Sequence, residues 1–232
     1  MTAVPARKDG LDLLFAGAIL LLLGYGMGTT ASYLTFLPSS VAGAVFGVSI
    51  VGFASGVAFW VLAFVRLRRD YRAMDGHRAS GKDGLDAGVG GIVALVIALV
   101  VAIVGAFAPG IVGMAAATAG FAGFALVGLL FAGCFLRLRE DLPARLTSAG
   151  TSGLLTLAYG SLLLAAGSLL LAVLTPFPAF AVSASAAPLG VTVGGVIVAL
   201  SVLGPLLWVI GGYQLRKSYR QEPGRATAAI PP

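Results

Sequence analysis

The stretch Lys8-Asp9-Gly10-Leu11-Asp12 recurs, residue for residue, as Lys82-Asp83-Gly84-Leu85-Asp86. Each copy stands directly before a long run of apolar residues, so the pentapeptide marks the start of two matching segments. We expect Asp12 and Asp86 to be N-caps of the helices that follow, because aspartate accepts hydrogen bonds from the free N–H groups of a first helical turn. Its charge also complements the positive end of the helix dipole.

Charged residues occur in four short segments of the chain, 7–12, 66–86, 137–145 and 216–225. Between them lie the charge-free stretches 13–65, 87–136 and 146–215. Each is roughly twice the ~20 residues with which a helix crosses a bilayer, and so predicts two transmembrane helices. The chain is 59% apolar and 10% charged, whereas about a quarter of the residues in a soluble domain are charged. The predicted fold is therefore an all-α integral membrane bundle of six transmembrane helices.

The distribution of Lys and Arg predicts how these helices are oriented. The turns inside each charge-free stretch contain no charge, and every basic residue lies at a terminus or between two stretches. By the positive-inside rule, both termini and the loops near 66–86 and 137–152 are cytoplasmic. The helices then form three inside-to-inside hairpins of a multi-pass cell-membrane protein. We expect no cleavable signal peptide, because Asp9 and Asp12 interrupt the basic flank of the first apolar run.

An internal repeat relates the hairpins. A shift of 71 residues places Phe36-x-Pro38 on Phe107-x-Pro109, and the same shift places Phe64-x-Arg66-Leu67-Arg68 on Phe135-x-Arg137-Leu138-Arg139. Resemblance among the ends of membrane helices explains the arginines, but it does not explain the pentapeptide or Phe-x-Pro. A duplication accounts for all of these matches.

The third hairpin is more diverged. It ends in Arg216-Lys217-Ser218-Tyr219-Arg220, like the first, but it begins with Ser148-Ala149-Gly150-Thr151-Ser152, which keeps only a glycine and a candidate cap. We predict an internal triplication within a single membrane domain, residues 1–232. Its units span about 8–75, 82–145 and 148–221, and residues 222–232 form a disordered tail.

Glycines at helical spacing are the candidates for helix packing. Glycine on one face lets two backbones approach closely, and van der Waals contact then replaces the hydrophobic drive that is missing in lipid. The candidates are Gly43, Gly47, Gly52, Gly56, Gly153, Gly160, Gly167, Gly190 and Gly194. We expect these faces to pack inside the bundle; self-association through one of them is the alternative.

Basic residues that follow the even-numbered helices are candidates for contact with anionic lipids, since each cation near the membrane contributes ~1 kcal/mol of attraction. They are Arg66, Arg68, Arg69, Arg137, Arg139, Arg216 and Lys217. The alternative is that they only determine topology. We also expect the aspartates of the pentapeptides to pair with arginines of a neighbouring hairpin, for example Asp86 with Arg68 or Arg139.

Aromatic and hydroxyl side chains within the predicted helices support two further predictions. Anchoring at the membrane interface fits four aromatic residues, Tyr33, Trp60, Trp208 and Tyr213. A solute path, if the protein has one, would be lined by Tyr25, Thr118, Tyr159 or Ser201. Gly204-Pro205 predicts a kink in the last helix.

The residues of most membrane chemistries are missing from the predicted spans. Ionisable groups in a membrane mark proton relays and ion paths, and no span contains one. The single cysteine, Cys134, fits a buried small apolar residue, and the single histidine, His77, fits a loop. We therefore expect no enzyme activity, no catalytic or metal site and no cofactor.

Two function classes remain. The first is a non-catalytic accessory or scaffold subunit, with the lipid bilayer, anionic lipids, other membrane subunits or further copies of itself as partners, and no nucleic acid. The second is an uncoupled channel or facilitator for a small uncharged solute. A scaffold should be solidly packed, whereas a channel should contain a polar-lined cavity.

Overall fold

The computed structural model describes residues 9–26, 39–72, 79–141, 148–175 and 188–220. Apart from a short turn after Phe107 and another at Thr175, these residues are helical. The helices are α1 (Asp9–Leu21), which continues as a π-helical segment over Leu22–Gly26, α2 (Ser39–Arg72), α3 (Ala79–Phe107), α4 (Gly110–Asp141), α5 (Ser148–Leu174) and α6 (Pro188–Arg220). Gly110, which opens α4, has a φ of 62°, a left-handed conformation that glycine adopts without a steric penalty.

Within the described ranges, five helices are long and apolar enough to cross a membrane. These segments are Gly43–Tyr71, Gly81–Gly105, Gly110–Asp141, Ser148–Leu174 and Gly195–Ser218. The described part of the first helix is a shorter apolar segment, Gly10–Gly26. The chain is thus a multi-helix protein whose helices are apolar enough for a multi-pass membrane protein. Five full spans and one shorter segment stand where six spans were predicted.

The six helices form a closed ring in chain order. Each helix contacts the next one along the chain, and α6 returns to contact α1. Contacts are dense from α3 through α6 and sparsest between α2 and α3. The sparse contact leaves space between two helices that both carry charged residues.

Glycines permit the closest approaches between helices. A Cβ on Gly160 of α5 would lie 2.6 Å from the carbonyl oxygen of Gly204 on α6, and a Cβ on Gly128 of α4 would lie 2.6 Å from that of Ser161 on α5. Side-chain carbons do not approach a backbone oxygen so closely. A larger residue at either position would therefore push two helices apart.

The starts of α1 and α3 differ from the prediction. Helix α1 begins at Asp9 rather than Asp12, and α3 begins at Ala79 rather than Asp86. Both aspartates lie within their helices, so the prediction that Asp12 and Asp86 are N-caps is wrong. Their carboxylates make ion pairs instead.

Some predicted features lie outside the described residues. They are Tyr33, Phe36-x-Pro38, His77, the tail at 222–232, and the side-chain surroundings of Gly190, Gly194 and Ser201. Pro205 lies inside α6, as the sequence indicates.

Candidate functional site

Three large aromatic side chains meet at the centre of the ring. The ring centroid of Trp60 on α2 lies 5.0 Å from that of Phe131 on α4 and 4.5 Å from that of Trp208 on α6. The centroids of Phe131 and Trp208 are 6.3 Å apart. Phe64, one turn further along α2, stacks on Phe131, and Phe135, one turn further along α4, meets Trp60 edge to face. We call these five residues the aromatic cluster; its tilted and edge-to-face pairs add to the free energy of burial.

Each tryptophan is also hydrogen-bonded to the helix that precedes its own. Trp60 Nε1 donates to the carbonyl oxygen of Leu14 at 3.1 Å. Trp208 Nε1 donates to Ser161 Oγ at 2.9 Å, and the Ser161 hydroxyl donates to the carbonyl oxygen of Leu157 at 2.9 Å. A buried indole N–H requires such a partner. These bonds fix both rings in the interior.

The prediction that Trp60 and Trp208 anchor the protein at the membrane interface is therefore wrong. Trp60 exposes 1% of its surface and Trp208 exposes 4%. Tyr213 is 54% exposed and can serve as an anchor. The tryptophans differ from it because they face the axis of the ring, where other aromatic rings and backbone acceptors replace the headgroup region.

A small apolar cavity adjoins the aromatic cluster. Its volume is about 30 Å³, and every helix contributes to its lining, which includes Tyr25, Phe53, Leu95, Leu164 and Pro205. A water molecule needs about 10–15 Å³ of such space and two to four polar partners. The lining is almost wholly apolar, so the cavity offers room for a water molecule or two but little to bind them.

Those hydroxyl residues predicted to line a solute path whose side chains the structure describes do not converge on this cavity. Among the described side chains, Tyr25 is part of the lining. Tyr159 faces outward and is 55% exposed. Thr118 is half-buried on α4, away from the lining.

Two ion pairs join neighbouring hairpins at the end of the bundle where α2, α4 and α6 finish, which we call the basic end. Arg68 Nη2 on α2 lies 2.6 Å from Asp86 Oδ1 on α3. Arg216 Nε on α6 lies 2.5 Å from Asp12 Oδ1 on α1. The prediction that pentapeptide aspartates pair with arginines of a neighbouring hairpin is confirmed for Asp12 and Asp86.

The remaining predicted lipid contacts lie at the same end. Exposed side chains belong to Arg66, Arg69, Arg137, Arg139 and Lys217, while Arg68 and Arg216 are partly buried in the ion pairs. The basic end therefore presents a rim of cations around the ring.

No protein-family model, curated protein or solved structure matches the chain. Its function must be argued from its own geometry.

A groove opens at the basic end between α2 and α3, where helix contacts are sparsest. Its volume is about 320 Å³, and it is lined by Val65, Arg68, Arg69 and Val89. The groove was not predicted from the sequence. The repeat contains a signal for it. When the hairpins are aligned on their arginines and aspartates, Val65 corresponds to Tyr213 and Val89 corresponds to Phe15.

The corresponding place between α6 and α1 is filled by aromatic rings. The ring centroids of Phe15 and Tyr213 are 6.2 Å apart. The guanidinium carbon of Arg216 lies 5.6 Å from the centroid of the Phe15 ring. Tyr213 precedes its arginine by three residues, as Val65 precedes Arg68, and Phe15 follows its aspartate by three residues, as Val89 follows Asp86. The smaller valines leave the space that the rings occupy.

The glycines predicted to pack helices have different surroundings. Gly52 and Gly56 face α1, and Gly153, Gly160 and Gly167 face α6. A Cβ on Gly43 or Gly47 of α2 would meet no atom within 4 Å. These last two glycines lie on the outer surface of the ring.

Cys134 is fully buried, as the sequence predicts. It lies beside Phe64 of α2 and Gly88 of α3. Within the described ranges, no group of three or more His, Cys, Asp or Glu residues could hold a common metal ion.

Proposed function

We propose that the chain is a non-catalytic accessory or scaffold subunit that packs against other membrane proteins or against itself. The observation that supports this function most strongly is the closed centre of the ring, where Trp60, Phe131 and Trp208 are in mutual contact. A channel or facilitator needs a continuous path that a solute can enter. The cavity beside these rings is small and apolar, which favours a solidly packed scaffold over a channel.

The outer surface of α2 supports the same proposal. Gly43 and Gly47 are open to the outside, and Val48 and Val51 beside them are 59% and 66% exposed. In a bilayer, small residues on an outer face allow a second helix to approach the backbone closely. A partner membrane protein, or a second copy of this chain, is the occupant that such a face suits.

We further propose that the bundle is an internal triplication. Its support is that one glycine of each odd-numbered helix faces two positions, four residues apart, on the following helix. The sets are Gly10 with Ala63 and Leu67, Gly84 with Cys134 and Leu138, and Gly153 with Gly211 and Leu215. Gly153, rather than Gly150, then corresponds to the glycine of the pentapeptide. Leu155 then takes the place of Asp12 and Asp86, so the third unit lacks the ion-pairing aspartate.

The charge distribution supports the proposed topology. If the basic end is cytoplasmic, both termini lie inside and the three hairpins run from inside to inside, in agreement with the positive-inside rule. The plasma membrane is the proposed location. Fusing a reporter that is active only in the cytoplasm to each terminus tests this orientation.

Purification of the full-length chain in mild detergent tests the function, with flux measurements on proteoliposomes made from the same preparation. We expect a stoichiometric membrane partner or a defined homo-oligomer, and liposomes that retain small uncharged solutes. A monomer without partners whose liposomes pass one solute selectively would overturn the proposal in favour of a facilitator.

A surface variant makes the test specific. Gly47→Ile adds bulk to the outer face of α2, and Gly90→Ile on α3 is the matched control, because a Cβ at either glycine would meet no atom within 4 Å. Loss of the partner in Gly47→Ile but not in Gly90→Ile would locate the contact on α2. Retention of the partner in both would exclude that face.

A further inference from the structure

We infer that the groove between α2 and α3 binds one anionic phospholipid, with its phosphodiester against Arg68 and Arg69 and its acyl chains leaving past Val65 and Val89. The inference rests on the proposed function to the extent that the bundle lies in a membrane. It adds a defined ligand site on the surface of the scaffold.

The lining of the groove has the polarity of a phospholipid. Arg68 and Arg69 lie toward the basic end of α2, and Val65 lies one turn earlier, toward the middle of the helix. Val65 is 56% exposed, although it stands next to the fully buried Phe64. A ligand that filled this groove would need an anionic head toward the basic end and an apolar body toward the middle of α2.

The charge of the groove favours an anion. Arg68 is paired with Asp86, which offsets its charge. Arg69 is exposed and makes no ion pair among the described residues. Arg69 therefore faces the groove without an ion-pair partner from the described ranges, and a guanidinium donates the parallel hydrogen bonds that phosphate oxygens accept.

The described residues of the other interfaces between hairpins are in closer contact. Between α6 and α1, Phe15 and Tyr213 occupy the space beside the ion pair. Between α4 and α5, Gly128 brings the helices into backbone contact. There the residue after Arg139 is Glu140, whose charge disfavours a phosphate. The α2–α3 interface thus combines open space, the exposed Val65, the half-buried Val89 and an arginine that makes no ion pair with the described residues.

The volume of about 320 Å³ lies at the small end of the range for ligand pockets, about 300–1,000 Å³. It accommodates a headgroup but not the acyl chains. These would remain on the lipid-facing surface, where Val93 and Val96 of α3 are 55% and 49% exposed. The groove has a basic half and an apolar half, and a lipid contacts both. A free phosphate would leave the apolar half without a partner.

The test is native mass spectrometry of the full-length chain in mild detergent, titrated with phosphatidylglycerol and, separately, with phosphatidylcholine. We expect one phosphatidylglycerol to bind in preference to phosphatidylcholine. Arg69→Gln should weaken this binding about five-fold, the equivalent of ~1 kcal/mol per membrane-facing cation. Lys217→Gln is the matched control, because it removes a cation from the corresponding position of the filled α6–α1 interface and should change the affinity by less than about two-fold.

A second variant fills the groove without removing its charge. Val65→Tyr together with Val89→Phe introduces the aromatic pair of the α6–α1 interface, and it should abolish tight binding of phosphatidylglycerol. If this variant does not fold, the comparison of Arg69→Gln with Lys217→Gln still decides the matter. Equal losses in those two variants would show diffuse attraction to the rim and overturn the site.

Inorganic phosphate distinguishes the two sources of the anion. Added as a competitor at moderate ionic strength, with chloride as the control salt, it should displace little phosphatidylglycerol. Displacement by phosphate but not by chloride would overturn the lipid assignment. The outcome does not depend on partner capture, because it is measured on the isolated chain, so this inference and the proposed function can fail separately.

Discussion

Trp60 of α2 and Trp208 of α6 lie with their ring centroids 4.5 Å apart, in the middle of a ring whose helices otherwise contact mainly their sequence neighbours. Each indole is held by a hydrogen bond to the preceding helix, Trp60 to α1 and Trp208 to α5. The pair therefore links the first hairpin to the third inside the ring. It also places the bulkiest side chains of the protein where a solute would have to pass.

The hydrogen bond between Trp208 and Ser161 should contribute measurably to stability. Trp208→Phe leaves Ser161 without its donor, and Ser161→Ala leaves the indole N–H buried without an acceptor, which costs about 1–3 kcal/mol. Combining both changes should cost less than the sum of the two, because the double variant leaves neither group unpaired. Thermal unfolding in detergent, read as a double-mutant cycle, measures this coupling. Strict additivity would show that the bond contributes nothing.

The ion pair between Arg68 and Asp86 should tolerate an exchange of the two charges between the positions, but not two charges of the same sign. Asp86→Lys places two cations together and should lower stability by up to about 1 kcal/mol, a modest effect because both side chains are over a third exposed. Adding Arg68→Asp should restore most of the loss. Asp83→Lys is the control, since Asp83 belongs to the same pentapeptide but is exposed and in no described ion pair. The midpoint of unfolding at low salt is the measurement, and failure of the exchange to rescue would contradict the pairing.

Glycines at helix contacts should differ sharply from glycines on the surface. Gly160→Ala places a Cβ against the carbonyl oxygen of Gly204 and the ring of Trp208, and overpacking of this kind costs about 1–3 kcal/mol. Gly47→Ala meets no neighbour and should be neutral or slightly stabilising, because alanine has the higher helix propensity. Parallel thermal unfolding of the two variants checks this. Equal destabilisation would mean that α5 and α6 can separate freely.

The pattern of charge in the sequence predicts the helical, membrane-spanning character of the chain, because a bilayer excludes charged residues from its interior. It also predicts that Asp12 and Asp86 pair with arginines of a neighbouring hairpin, since opposite charges at one end of a bundle attract each other; the structure selects Arg216 and Arg68. The charge pattern does not predict which face of each helix turns inward. Phe64 is 1% exposed and its neighbour Val65 is 56% exposed, yet both are apolar. An apolar side chain can face lipid as well as the protein interior, whereas water would favour its burial. The burial of Trp60 and Trp208 and the groove beside Val65 could therefore not be predicted from hydrophobicity.

The third interface between hairpins allows a direct test of the proposed triplication. If Gly153 corresponds to Gly10 and Gly84, then Leu155 stands where Asp12 and Asp86 stand, and Arg139 stands where Arg216 and Arg68 stand. Leu155→Asp should then place a carboxylate within reach of Arg139 and stabilise the bundle by a few tenths of a kcal/mol up to about 1 kcal/mol.

The same substitution in an Arg139→Gln background should destabilise, because the new carboxylate then has no partner, and Leu155→Asn controls for the loss of the apolar side chain. Unfolding midpoints at low and high salt separate these cases, since only the charge pair is screened. A Leu155→Asp variant that is equally unstable with and without Arg139 would mean that the third hairpin does not follow the geometry of the other two.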